Sequence, residues 1–399
     1  VSWGLKAVPL LNFYAKCIYI VKTIDIIMLK AYKYRLYPTG SQKEILLKHI
    51  GACRFTYNWA LEQKIKAYET DKKHLSRFEL QSCLVHELKP ENTWLKEVNS
   101  QALLNTLINL ESAFTRFFRE KKGFPRFKSR KVPFQSFQIP QHYVVDFENN
   151  TIKLPKIKQP IRAKLHRKFE GKLKTATVSF TKTRKFYISV LVDDGKELPE
   201  TQKFDNNSTL GIDVGVTHFA TLSSGKKIDN PKHLKNSIKR LKVLQKRLSK
   251  KQKGSQNCDK AKLKVAKLHE RIRNQRIDFL HKTSSKLVSE NQAIAVESLD
   301  VSGMLKSHCL AQSISDVSWS EFFRQLEYKA QWYGKTLLKI GQFEPSSKLC
   351  NICGHYNGEM TLADRKWECP DCSTKHDRDI NAAINVKKFA LQNQNLLNI

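Results

Sequence analysis

Towards its C-terminal end the chain reads Cys350-Asn351-Ile352-Cys353 and, after fifteen intervening residues, Cys369-Pro370-Asp371-Cys372. Two Cys-x-x-Cys knuckles at this separation can close four thiolates around one ion, and no other short feature restricts the fold as strongly. Two unrelated thiol pairs, or a redox Cys-x-x-Cys, would not require this spacing. Four sulfurs fill a tetrahedral shell, which predicts structural Zn²⁺ with no open coordination position. Gly354 and Pro370 stand where the knuckles need tight turns. The remaining cysteines (Cys17, Cys53, Cys83, Cys258 and Cys309) are scattered. That is no disulfide framework, and it points to a reducing cytoplasm.

The 399 residues carry 71 Lys and Arg against 37 Asp and Glu, a formal charge of +34. Solubility needs a net charge of only about 2–8, and a larger excess repels itself in the compact state. The charge therefore argues for a polyanionic partner. It concentrates in two stretches, with 19 Lys/Arg against 4 Asp/Glu over 231–290 and 16 against 4 over 119–174, which suggests an extended channel. The apolar stretch 8–29 contains Lys16, Lys22 and Asp25, each costing about 3 kcal/mol at bilayer depth. A membrane partner is not expected. Regular patterning starts at Met28, so residues 1–27 are expected to be an upstream extension.

Periodicity predicts a strand ending at Pro38, then a helix opened by Ser41 with Glu44 and striped by Leu46, Ile50, Cys53, Tyr57, Leu61, Ile65 and Tyr68. A second capping box, Ser76 with Glu79, opens a shorter helix. A third helix carries Leu103, Leu107, Leu110, Phe114 and Phe117. Strands dominate from Phe134 to Val192, with a hairpin at Asn149-Asn150. The second half opens with strands Thr209–Val214 and His218–Leu222. A basic helical pair follows, over 234–249 and 260–288, broken at Lys253-Gly254-Ser255-Gln256-Asn257. Its apolar seam predicts an antiparallel hairpin.

Three carboxylates stand at element ends. Asp213 lies in Gly211-Ile-Asp-Val-Gly215, Glu297 ends the apolar strand at Ala293–Val296, and Asp377 and Asp379 open a C-terminal helix. Either aspartate of that last pair could simply cap its helix. Acids from separate elements of a basic protein can instead hold Mg²⁺, a hard cation that takes oxygen ligands.

The order and surroundings of these residues resemble the TnpB (OrfB) family encoded by insertion sequences, long called transposases and related to type V CRISPR effector nucleases. The resemblance runs from Met28 to about Ala390. It includes Tyr34-Arg35-Leu36-Tyr37-Pro38, Gly123-Phe124-Pro125-Arg126-Phe127-Lys128, the Lys253-Gly254-Ser255 break, His269-Glu270-Arg271 and the four cysteines. It implies an α+β multidomain protein with an RNase H-like (RuvC) mixed α/β nuclease domain over 206–343 and 376–399. The basic hairpin 231–290 is inserted in that domain, and a zinc ribbon spans 344–375. A β-barrel wedge at 28–40 and 121–205, with a helical recognition insert at 41–120, precedes them.

By the same resemblance Asp213, Glu297 and Asp379 are the catalytic, Mg²⁺-binding residues, with Asp377 as a cap. Cys350, Cys353, Cys369 and Cys372 hold zinc. The implied activity is RNA-guided cleavage of double-stranded DNA, directed by a guide RNA made from the element's end. An acidic triad of this kind also performs strand transfer, so a transposase, or a regulator that binds element DNA without cutting it, remains an alternative. None of the twelve histidines lies in the His-hydrophobe-His motif of the single-strand transposases of such elements. An ATPase reading of the Gly211–Gly215 turn finds no other support.

Overall fold

The computed structural model describes residues 27–397, apart from 133, 307–309, 343 and 362. The expected extension lies almost wholly outside the described residues.

Strand β1 (Ile27–Tyr37) alternates as its sequence demands, burying Tyr34 and Leu36 while Lys33 and Tyr37 face outwards. It is central in an antiparallel sheet of order β2-β6-β7-β1-β5-β4-β3. The other strands are β2 (Phe134–Ile139), β3 (Val144–Asp146), β4 (Thr151–Lys153), β5 (Ile161–Lys164), β6 (Lys172–Thr181) and β7 (Phe186–Glu197). Between β1 and β2 lies a helical block: α1 (Gly40–Asp71), α2 (Arg77–Cys83), α3 (Lys89–Glu91) and α4 (Ser100–Arg119). The α1 stripe buries Leu46, Ile50, Cys53, Tyr57 and Leu61, and α4 buries Leu103, Leu107 and Leu110. These side chains join Tyr34, Phe137 and Ile188 in one core, so sheet and helices are stabilised together.

One helix start in this half differs from expectation. The cap of α1 is Thr39 with Gln42, not Ser41 with Glu44: Thr39 N–H donates to Gln42 Oε1 at 3.0 Å, and the Gln42 N–H donates back to the Thr39 hydroxyl. Pro38 holds the chain extended immediately before Thr39, which makes Thr39 the first residue able to cap. The Ser76–Glu79 capping box forms as expected.

The second half is a mixed five-stranded sheet of order β10-β9-β8-β11-β12. Its strands are β8 (Thr209–Val214), β9 (His218–Leu222), β10 (Lys227–Asp229), β11 (Ala293–Glu297) and β12 (Thr336–Ile340). β8, β11 and β12 are parallel, whereas β9 runs antiparallel to β8 and β10 antiparallel to β9. Helices cover both faces. Ile294 and Val296 pack with Leu280 and Phe322 on one side, and Ala293 and Ala295 pack with Val386 and Ala390 on the other.

Between β10 and β11 run α5 (His233–Ser249) and α6 (Gln256–Glu290). The break between them is shorter than expected, because the Ser255 hydroxyl accepts from Cys258 N–H and starts α6 at once. Leu241, Leu268 and Ile272 form their narrow seam. After β11 come α7 (Val301–Met304), α8 (Ala311–Val317) and α9 (Trp319–Trp332). A small ladder of β13 (Lys366–Glu368) and β14 (Lys375–Asp377) then leads into α10 (Arg378–Leu397). Among the described residues no helix is long and apolar enough to cross a membrane.

Candidate functional site

Asp213 and Glu297 sit at the C-terminal ends of adjacent parallel strands. Val296 pairs with Ile212, so the next residue on each strand carries a carboxylate at the same sheet edge. α10 brings the third. It crosses β8 so closely that a Cβ at Gly211 would collide with the Ala383 carbonyl oxygen, which is why glycine stands there. Asp377 caps this helix: its Oδ1 accepts from Ile380 N–H at 3.2 Å and its Oδ2 from Lys227 Nζ at 2.8 Å. Asp379 lies in its first turn, where its charge reaches Asp213.

The carboxylates feel one another. Burial first, then the charges of Asp379 and Glu297, push Asp213 up to about 8, against the opposing pull of Arg378 and Arg365. Burial also raises Glu297. Two cations flank the third acid: Asp379 Oδ1 lies 3.5 Å from Arg365 Nη1 and 3.7 Å from Arg378 Nε. Burial and the neighbouring carboxylates suppress ionisation of Asp213, and a divalent ion taking its hard oxygen donors would relieve that repulsion.

The four cysteines also converge. Their sulfurs all lie within 4.8 Å of one another, with Cys350–Cys372 at 3.7 Å and Cys353–Cys369 at 3.5 Å. Zn–S bonds of about 2.3 Å imply S–S edges of about 3.8 Å in a regular tetrahedron, so the donor set fits zinc in chemistry and in size. Gly354, at φ +82°, makes the turn that folds the first knuckle back. Hydrogen bonds from Thr374 pull the Cys372 thiol down while burial and the neighbouring thiols push Cys353 up, so the four sulfurs ionise together only with a cation among them.

Sequence reasoning missed the residues that join the two sites. Asn381 and Asn385, both buried, project from α10 into the first knuckle. Asn385 Nδ2 donates to the carbonyls of Ser346 and Leu349 at 2.8 and 2.6 Å, and Asn381 makes a similar pair of bonds. Their spacing of four, on the face that also carries Ala382 and Val386 nearby, was the available signal. Arg365 was missed as well. Its carbonyl accepts from Arg378 N–H at 3.0 Å, continuing the β13–β14 ladder and setting it beside Asp379. His376, buried against Trp367, places Nε2 3.1 Å from Cys350 Sγ.

Residues 187–308 match the family model OrfB_IS605, described as "Probable transposase". Residues 319–386 match a model described as "Cas12f1-like, TNB domain" and 28–73 one described as "Helix-turn-helix domain". The last segment folds here as β1 followed by the single helix α1. Over 361 residues the chain is 40% identical to a Streptomyces pristinaespiralis protein named "Putative RNA-guided DNA endonuclease", a match covering 90% of this chain and 88% of that relative. The chain belongs to the TnpB (OrfB) family. A further TnpB relative, Escherichia coli K12 "Putative RNA-guided DNA endonuclease InsQ", is 35% identical over 374 residues, 90% of this chain and 91% of its own. Among solved structures, the TnpB chain shares its fold with the protein in "Cryo-EM structure of the Cas12f1-sgRNA-target DNA complex". The TM-score is 0.57 at 14% identity, over 90% of this chain and 99% of that one.

Proposed function

We propose that this TnpB-family chain is an RNA-guided, Mg²⁺-dependent DNA endonuclease acting in the cytoplasm. Its partners are a guide RNA from the element's end and a double-stranded DNA target. The five-stranded sheet with α10 is read as an RNase H-like (RuvC) domain, 206–343 and 376–399, with the basic hairpin 231–290 inserted. The cysteine region, 344–375, is a zinc ribbon. The seven-stranded sheet, 28–40 and 121–205, is the barrel-like wedge, and 41–120 the helical recognition insert.

The observation that carries this reading is that Asp213 and Glu297 end adjacent parallel strands while Asp379 stands in the first turn of α10, which packs against β8: three carboxylates from separate elements of a chain with charge +34. Asp213, Glu297 and Asp379 would hold Mg²⁺, which supplies the charge that activates water and stabilises the leaving oxygen. The chain's part is to fix the three oxygen donors on rigid elements, with Arg365 and Arg378 paired to Asp379. Cys350, Cys353, Cys369 and Cys372 would hold Zn²⁺ with no open position, so zinc folds the ribbon and takes no part in the chemistry.

The test has two arms. RNA that co-purifies with the protein is sequenced, and a defined species from the element's end is expected. Cleavage of a matched duplex is then measured with Mg²⁺. Alanine at Asp213, Glu297 or Asp379 should abolish cutting and leave nucleic-acid affinity nearly intact. Strand-joined products would instead favour the transposase reading, and full cleavage by Glu297→Ala would refute the site.

A further inference from the structure

The strand β14 does more than lead into α10. Its central residue, His376, is buried, and a buried imidazole needs partners for its ring nitrogens. Directly across the ladder stands Trp367, whose ring lies 4.7 Å from the imidazole at an interplanar angle of 36°. That contact restrains the plane of the histidine, and Nε2 lies 3.1 Å from Cys350 Sγ. The separation falls inside the range of about 2.7–3.2 Å usual for N–H···O bonds, and it is short for a larger sulfur acceptor.

The chemistry of the partner decides which atom gives the proton. Cys350 is only 1% exposed. As a zinc ligand it is a thiolate, with no proton to give and a charge that water barely reaches. The donor is then the Nε2–H of His376. The other sulfurs are not solvated alike: Cys353 is exposed, and Cys372 is half-buried with the Thr374 hydroxyl 3.2 Å from its sulfur. Thr374 and His376 are two residues apart as the chain enters β14, so both project to the side of the sulfurs. Asp377 takes the other side and meets Lys227. His376 is not itself a fifth member of the cluster, because four sulfurs within 4.8 Å of one another complete a tetrahedral shell. Four thiolates around one divalent ion keep a net negative charge, which is costly to bury unless donors meet the sulfurs.

We propose that His376 is a positioning residue of the zinc centre, whose Nε2–H donates to the Cys350 thiolate and offsets the charge of the buried sulfurs. Trp367 holds the ring at the angle this bond uses. The inference rests on the zinc reading of the four cysteines above.

The test uses the full-length protein. Zinc transfer to an excess of a chromophoric chelator is timed for wild type, His376→Phe and His376→Gln. His376→Phe keeps a ring on Trp367 and removes the donor, whereas His376→Gln gives up the ring and carries an N–H at a similar reach. The hydrogen bond predicts zinc loss about tenfold faster in His376→Phe, with partial rescue in His376→Gln. A role in packing alone predicts the reverse order, and that order would overturn the proposal. A second readout needs no substitution and stands even if His376→Phe does not fold. In wild-type protein carrying spin-active cadmium in place of zinc and nitrogen-labelled histidine, the Nε2 proton of His376 should show scalar coupling to the metal through the Cys350 sulfur. A proton on Nδ1 alone would overturn the bond, and so would direct coupling of the nitrogen to cadmium, which would make His376 a ligand. Zinc held equally by all three proteins would overturn the role of His376 alone. A wild-type protein that holds no zinc would overturn the zinc reading with it.

Discussion

Asn381 Oδ1 accepts the Asn351 backbone N–H at 3.0 Å, while its Nδ2 donates to the Leu349 carbonyl at 2.7 Å. One buried amide thus ties the first cysteine knuckle to the helix that carries Asp379 two residues earlier. Replacing it by alanine leaves the buried Asn351 N–H unpaired, at a cost of about 1–3 kcal/mol, while the Leu349 carbonyl keeps its bond from Asn385 Nδ2. Asn381→Ala is expected to lower the melting temperature and reduce DNA cleavage at least tenfold, while zinc stoichiometry stays near that of wild type. Metal analysis beside a cleavage assay checks this. Lost zinc with unchanged cleavage would contradict the linkage.

The same connection makes the cysteines matter at a distance. Cys369 lies one residue beyond β13, whose ladder with β14 sets Arg365 beside Asp379. Cys369→Ser should therefore abolish zinc retention and, through the freed ladder, cleavage. The seven-stranded sheet and the basic hairpin have their own cores and should keep binding nucleic acid. Measured binding near the wild-type value together with lost cutting is the expected pair of results.

Local chemistry explains what the sequence disclosed. The strands around Asp213 and Glu297, the apolar stripes of α1 and α4 and the cysteine knuckles follow from period and spacing, which neighbouring residues determine. The Thr39 cap was misassigned because two hydroxyl residues compete within three positions, and only the extended backbone after Pro38 decides between them. Asn381, Asn385 and Arg365 were illegible because their partners lie across a tertiary contact. Nothing local distinguishes an asparagine that ties down a cysteine knuckle from one that faces water. Arg35 and Glu270 were visible as motifs, yet their proximity depends on how α6 packs against the sheet.

Glu270 offers a pH test of that packing. Burial alone would raise its carboxyl, but hydrogen bonds from Lys185 and Thr183 outweigh it and leave the group below its ordinary value of 4.5. The folded state then gives up the proton more readily than the unfolded chain. Its contribution to stability is complete above about pH 4.5 and is lost as pH falls through the depressed folded value. Glu270→Gln should melt below wild type near neutrality, by on the order of 2 °C for a chain of this size. The gap should close as the medium is acidified. A gap independent of pH would show that the carboxylate charge is not what joins α6 to the β6–β7 turn.

Arg365 provides the sharpest prediction about the acidic site. It lowers the pKa of Asp213, which burial and the charges of Asp379 and Glu297 have raised to about 8. In the absence of added Mg²⁺ the folded protein therefore keeps a proton on Asp213 over a range where the unfolded chain, titrating near 3.8, has lost it. Stability of this metal-free state must decline as pH rises from about 4 to 8, and Asp213→Asn should remove most of the decline, leaving the part due to the raised carboxyl of Glu297. Removing the positive charge in Arg365→Ala raises Asp213 further. The acid limb of the cleavage-rate profile should then move to higher pH, whereas Arg365→Lys, which keeps the charge, should move it less. Rates measured across pH at several Mg²⁺ concentrations separate this from simple loss of metal, because saturating Mg²⁺ displaces the proton and draws the two profiles together. An acid limb that does not move in Arg365→Ala would place that guanidinium outside the electrostatic reach of the site.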